Sequence, residues 1–119
     1  MDNYIPERGD VVWIDMNPQA GHEQAGRRPA VVLSPSAYNS KVGLALLCPV
    51  TTQIKGYPFE VNIPKGFKVS GTILSDQVKS LDWKVRHAEF FDKIPESVTL
   101  EILKKLTILL RVNKLGTSI

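Results

Sequence analysis

Glycine and proline punctuate this sequence up to Pro95 and then become scarce: there are eight of each, and they fall almost entirely in the first two-thirds of the chain. Inside a helix a glycine costs about 1 kcal/mol and a proline about 3 kcal/mol relative to alanine. The body must therefore be assembled from short extended pieces and turns. Beyond Pro95 the apolar residues change period. Val98, Ile102, Leu106 and Leu109 form one stripe, and Leu103 and Leu110 widen it, which is the spacing of an amphipathic helix. Pro95 suits the first helical position, and Glu96 and Glu101 lie toward the N-terminal end. Lys104, Lys105, Arg111 and Lys114 lie toward the C-terminal end, where cations favour the helix dipole, and Gly116 marks a stop. The spacing predicts a helix over about 95–113.

Before that boundary the pattern reads as strands at 10–16, 29–34, 43–51, 57–63, 71–74, 78–81 and 83–91, with a turn near Asp82. Residues 10–16 (DVVWIDM) alternate near period 2 and are rich in β-branched and aromatic types, and Asn17-Pro18 ends them. Residues 29–34 (PAVVLS) form a short continuous apolar run, expected of a strand buried on both faces, and 35–40 reads as a turn or a single helical turn. The longest apolar run, 43–51, contains Pro49, which suggests an edge, a bulge or a strand end. Strands at this spacing imply a mainly antiparallel sheet that curls into a small barrel. The expected fold is α+β, mainly β: a strand-rich body over 4–92 closed by one C-terminal helix, in a single domain spanning 1–119.

At 119 residues a domain needs neither disulfides nor metal to hold it. The one cysteine, Cys48, allows no intramolecular disulfide, and with only His22 and His87 besides, no structural zinc site is expected. Cys48 lies in an apolar strand and reads as an inert core thiol. The polar N-terminus has no secretory h-region, and no apolar run approaches the ~20 residues of a membrane span, so the expected location is cytoplasmic. Fifteen Lys and Arg against twelve Asp and Glu give +3, a balance that permits an anionic partner without demanding one. Phosphate-cradling glycine motifs, the H-E-x-x-H metal motif and the G-x-S-x-G nucleophile elbow are all missing, and no metal or cofactor is expected.

Three polar clusters remain. Residues 21–29 (GHEQAGRRP) lie between two expected strands and hold His22, Glu23, Gln24, Arg27 and Arg28. Loops of that length in a compact domain are usually functional or mobile. A solvated loop with ion-paired arginines would look the same. Arg28 precedes Pro29, so its backbone is extended and its guanidinium is held at a strand start, suited to gripping phosphate in a bidentate way. Arg27 reads as a general electrostatic contact. Residues 51–58 (TTQIKGYP) put Thr51 and Thr52 at the end of the most apolar strand, although threonine is common in strands and turns. In 75–80 (SDQVKS), Asp76 and Gln77 can read donor and acceptor edges of a base, and a hairpin turn is the plainer reading. Phosphoryl chemistry built from these parts would be metal-free. It needs a polarised 2′-hydroxyl, a cation on the nonbridging oxygens and a proton donor for the leaving 5′-oxygen. Arg28, Thr51, Glu23 and His22 are the available parts.

Several blocks together, in one order, resemble the MazF/PemK toxin family. They are 9–18 (GDVVWIDMNP), 21–35 (GHEQAGRRPAVVLSP), 48–53 (CPVTTQ), 55–61 (KGYPFEV) and 76–83 (DQVKSLDW). The resemblance implies the toxin half of a toxin–antitoxin pair: a sequence-specific, metal-independent endoribonuclease acting on single-stranded RNA such as mRNA. It also implies an SH3-like barrel shared with the CcdB gyrase poisons, a homodimer with RNA in a groove at its interface, and a cognate acidic, MazE-like antitoxin whose tail blocks that groove. By the same resemblance Arg28 is the proton donor and charge stabiliser at the scissile phosphate, and Thr51 is the hydroxyl beside it. Glu23 belongs to an RNA-binding loop with His22 and Gln24 as neighbours, and Thr52, Gln53, Asp76 and Gln77 contact RNA. The stretch 64–70 (PKGFKVS) differs most from the family pattern and is expected to bear on base preference. Two other readings stay open. One is a CcdB-like DNA gyrase poison on the same fold. The other is a non-catalytic nucleic-acid-binding barrel stacking bases on Trp13, Tyr57, Phe59 and Trp83.

Overall fold

The computed structural model of the chain describes residues 3–17 and 21–112. The elements in chain order are β1 (Asp10–Asp15), β2 (Arg27–Val32), α1 (Ser36–Val42), β3 (Leu44–Thr51), β4 (Glu60–Asn62), β5 (Thr72–Leu74), β6 (Lys79–Asp82), β7 (Glu89–Lys93) and α2 (Glu96–Leu110). All recorded strand pairs are antiparallel, and the path of neighbours runs β4-β5-β3-β2-β1-β7 with β6 also on β3. The mainly antiparallel sheet with a C-terminal helix is therefore present, and among the described residues its strand pairing does not close into a ring. Among the described residues β4 and β7, at the two ends of the path, do not pair with each other, and β3 divides its outer edge between two short strands. It pairs with β6 along Leu44–Leu47 and with β5 at Val50 and Thr51. Pro49 falls between those two ladders, where a missing N–H leaves no partner wanting. It sits in a central strand, opposite Ala30 of β2.

Strand alternation sorts the core onto two faces. Val11, Val31, Cys48 and Val50 point to one cluster, which Val98 and Ile102 of α2 cover. Val12, Ile14, Ala30, Val32, Ala45 and Leu47 point to the other, which Leu81 and Trp83 cover. The apolar run in β2 is thus buried on both faces, with Ala30, Val31 and Val32 fully enclosed.

Several expected boundaries move. The stretch at 35–40 is a full helix, α1, ended by Gly43 in the left-handed region at φ 83° with its N–H on the Asn39 carbonyl. Strand 57–63 shrinks to 60–62, because the Glu60 N–H bonds the Tyr57 carbonyl and makes 57–59 a turn. Residues 83–87 are a turn, not a strand. The indole of Trp83 is buried and donates to the Asn39 carbonyl at 2.9 Å, Asp82 accepts the Val85 N–H at 3.0 Å, and His87 has φ 57°. β7 begins only at Glu89. Pro95 is the cap of α2 and not its first residue, and the last turn carries no cation, since the chain turns extended at Arg111. Ile108, Leu109 and Leu110 are exposed, so no packing extends the helix further. Pro18, Lys114 and Gly116, named as strand and helix signals, lie outside the described residues.

Candidate functional site

The β1–β2 loop is pinched at its base. The Met16 N–H bonds the Gly26 carbonyl at 2.9 Å, and the Gly26 N–H bonds Asn17 Oδ1 at 3.1 Å. Gly21 and Gly26 take positive φ, which lets the chain reverse there. The two arginines that follow part company, as adjacent strand residues must. Arg27 turns to an exposed ion network, reaching Asp15 Oδ1 at 3.3 Å, Glu89 Oε1 at 3.0 Å and the His87 carbonyl at 2.8 Å. Arg28 turns toward the end of β3. Its Nε donates to the Ala25 carbonyl at 3.0 Å and its Nη1 to the Val50 carbonyl at 3.2 Å. Among the described residues Nη2 has no protein partner. The guanidinium is half-buried, and burial holds it below its ordinary proton affinity.

Thr51 ends β3 and is buried at 8% exposure. Its Oγ1 accepts the Gln53 N–H at 3.1 Å, which leaves the hydroxyl hydrogen to point elsewhere. The backbone there is pressed from beneath. Gly71, at φ 119°, lies so close that a Cβ on it would stand 2.3 Å from the Thr51 carbonyl oxygen. Arg28 and Thr51 line one groove of about 300 Å³, together with Gln24, Thr52 and Gln53. A second groove, of about 420 Å³, shares Gln24, Thr51 and Gln53 with it and continues past His22, Asp76 and Gln77. Among the described residues no group of three or more His, Cys, Asp or Glu side chains is placed to hold a metal ion. No helix of the described residues is long and apolar enough to cross a membrane.

The structure therefore brings Arg28, Thr51, His22, Gln24, Thr52, Gln53, Asp76 and Gln77 to two adjoining grooves. Glu23 lines neither and pairs instead with Lys79 Nζ at 2.8 Å. The stretch 64–70 is also absent from both linings. Its Val69 is buried in the core, and the Val69 N–H is held by Asp92 at 3.1 Å. Of the aromatics, Trp83 is buried, Trp13 packs on Phe91 at 5.1 Å between ring centres, and Tyr57 lines the larger groove.

Two groups, Glu60 and Lys79, carry no assigned role in the sequence, and Tyr57 appears there only as a base-stacking candidate. Glu60 is buried at 7% exposure, and its carboxylate takes the N–H groups of Lys55 at 3.0 Å and Gly56 at 2.8 Å, so it shapes the groove's rim. The Tyr57 hydroxyl donates a short hydrogen bond to Asp76, and burial together with that bond keeps the phenol protonated. Lys79 anchors Glu23. An acid following an aromatic within a strand signal was the available clue to Glu60. Its partners, backbone N–H groups across a turn, leave no trace in residue types.

Known proteins share this chain's sequence pattern and fold. The profile of the family described as "PemK-like, MazF-like toxin of type II toxin-antitoxin system" matches residues 7–110. The endoribonuclease toxin MazF of Escherichia coli strain K12 is 53% identical over 88 residues, spanning 74% of this chain and 78% of the relative. A crystal structure of MazF from Deinococcus radiodurans superposes with a TM-score of 0.88 at 53% identity, covering 91% of this chain and 98% of that one. A MazE-MazF crystal structure from the same organism gives 0.83 at 53% identity, covering 91% and 97%.

Proposed function

This chain belongs to the PemK-like, MazF-like toxin family of type II toxin–antitoxin systems, and from that premise we propose that it is an endoribonuclease that cuts single-stranded RNA such as mRNA without a metal ion. The observation that carries the reading is Arg28: half-buried, anchored through Nε and Nη1, open at Nη2 among the described residues, and lining the same groove as Thr51. A guanidinium so tethered keeps one edge for a phosphate oxygen and cannot swing away from it. Desolvation makes its proton cheaper to release than that of an exposed arginine.

In this mechanism the ribose 2′-hydroxyl gives its proton to solvent in the open groove as its oxygen attacks the adjacent phosphorus, the phosphorus–5′-oxygen bond breaks, and the products are a 2′,3′-cyclic phosphate and a 5′-hydroxyl. Arg28 stabilises the charge that grows on the nonbridging oxygens and supplies the proton to the leaving 5′-oxygen. The Thr51 hydroxyl, held by the Gln53 N–H, donates to the same phosphate. His22, Gln24, Thr52, Gln53, Asp76 and Gln77 line the path of the bases, with Glu23 behind them on Lys79. The chain acts as one domain and as a homodimer in the cytoplasm. A cognate acidic, MazE-like antitoxin competes for the same grooves, favoured by the net charge of +3.

The test is incubation with a long defined RNA in excess EDTA, with both new ends mapped chemically. Cleavage that persists and leaves cyclic phosphates supports the reading. Loss of cleavage with chelator, or accumulation of gyrase–DNA adducts with intact RNA in expressing cells, would overturn it.

A further inference from the structure

Gln77 lines the larger groove, yet both ends of its amide are already engaged. Oε1 accepts the backbone N–H of Gln24 at 3.2 Å, and Nε2 donates to the His22 carbonyl at 3.4 Å. The next residue of the loop, Ala25, holds the Nε of Arg28 through its carbonyl at 3.0 Å. A continuous path of hydrogen bonds and two residues of backbone thus runs from Gln77 through Gln24 and Ala25 to Arg28. The Gln77 end is firmly seated, since its N–H closes a turn on the Leu74 carbonyl at 3.1 Å and β6 follows at once on β3. Lys79 adds a second hold two residues on, through Glu23. The loop end carries less packing. Residues 21–23 are exposed and residues 24–26 half-buried, and a Cβ on Gly21 or Gly26 would meet nothing within 4 Å. A segment exposed to this extent depends strongly on its hydrogen bonds to stay in place.

We propose that Gln77 is a positioning residue for Arg28, fastening residues 22–25 so that the Ala25 carbonyl keeps the guanidinium aimed into the groove. The inference rests on the reading of Arg28 as the catalytic arginine. It assigns the Gln77 amide to the loop, ahead of any contact with a base.

The experiment has an RNA-free arm and a cleavage arm, using the full chain with its melting temperature checked. Gln77→Ala speeds exchange of the Gln24 amide and of the Arg28 Nε–H by about tenfold, the loss of one ordinary hydrogen bond. Gln77→Glu keeps an acceptor for the Gln24 N–H and leaves that amide protected. In single-turnover cleavage at saturating RNA, Gln77→Ala lowers the rate by about the same factor as it loosens the Arg28 Nε–H. Unchanged exchange at Gln24 and Arg28 in Gln77→Ala would overturn the proposal, as would a rise in KM alone with kcat intact, which marks a plain base contact. Failure of the unmodified protein to cut RNA would overturn the endoribonuclease reading, while the RNA-free arm still judges the link from Gln77 to Arg28.

Discussion

At the scale of single residues, the site depends on tethering more than on unusual side chains. Arg28 is one of fifteen cations, and what distinguishes it is a half-buried guanidinium fixed at two nitrogens. Arg28→Ala is expected to lower the single-turnover cleavage rate by about a hundredfold or more, the scale of losing a preorganised charge donor, with the circular dichroism spectrum unchanged. Arg28→Lys should recover little, because an ammonium cannot hold two backbone carbonyls and still present a flat edge to phosphate. Near-normal rates in either variant would remove Arg28 from the chemistry. Gly71 makes a different case. A methyl there would collide with the Thr51 carbonyl at 2.3 Å, and the residue sits at φ 119°. Gly71→Ala should cost about 2–3 kcal/mol of stability and also lower kcat, since Thr51 and the Val50 carbonyl that holds Arg28 must both shift. A thermal melt and a rate measurement on the same sample test this. A loss of stability without loss of rate would uncouple Gly71 from the site. The clusters at 21–29, 51–58 and 75–80 were legible as polar breaks in an apolar pattern. Gly71 was legible only as one glycine among eight, because its role is defined by a backbone twenty residues away in sequence.

At the scale of elements, β1, β2 and β7 carry an exposed ion network centred on Arg27, which also borders Arg28's groove. Asp15 faces Arg27 across the β1–β2 ladder, and His87 Nδ1 stands 3.2 Å from the Asp15 carboxylate. The hydrogen bond with His87, then the hydrogen bond and charge of Arg27, hold the Asp15 carboxyl below its ordinary 3.8 against the opposing effect of desolvation. A carboxyl whose folded value is depressed adds stability that is fully present above the unfolded value and lost as pH falls through the folded one. The melting temperature of the unmodified protein should therefore fall more steeply below about pH 4 than that of Asp15→Asn. The difference should be small and should shrink with salt, because the pair is exposed. Parallel curves would show that the network contributes nothing to stability. The strand signals at 10–16 and 29–34 were readable because period and β-branching act locally. The turn at 83–87 was not, because the indole of Trp83 finds its partner at Asn39, which no local pattern reveals.

At the scale of the whole molecule, the described chain leaves a row of apolar side chains uncovered at the end of α2: Ile108, Leu109, Leu110 and Val112. Apolar side chains left in water are where a second copy would gain most by covering them. If the proposed homodimer covers them, Leu110→Glu combined with Ile108→Glu should halve the mass measured by light scattering in solution and leave the strand spectrum intact. An unchanged dimer mass would place the dimer contact elsewhere. The sequence alone determined the class of the fold and the boundary at Pro95, since glycine and proline placement and a change of apolar period are written residue by residue. It also determined which residue types were on offer for chemistry. Tertiary structure alone decided which strands pair among the described residues, that Glu23 turns to Lys79 while Arg27 and Arg28 take different partners, and that Glu60, Gly71 and Gln77 shape the site. The reason is physical: each of those contacts joins a residue to a backbone group or a charge brought near by strand pairing or by a turn. The energy of such a contact depends on distance in space, which residue identity does not encode.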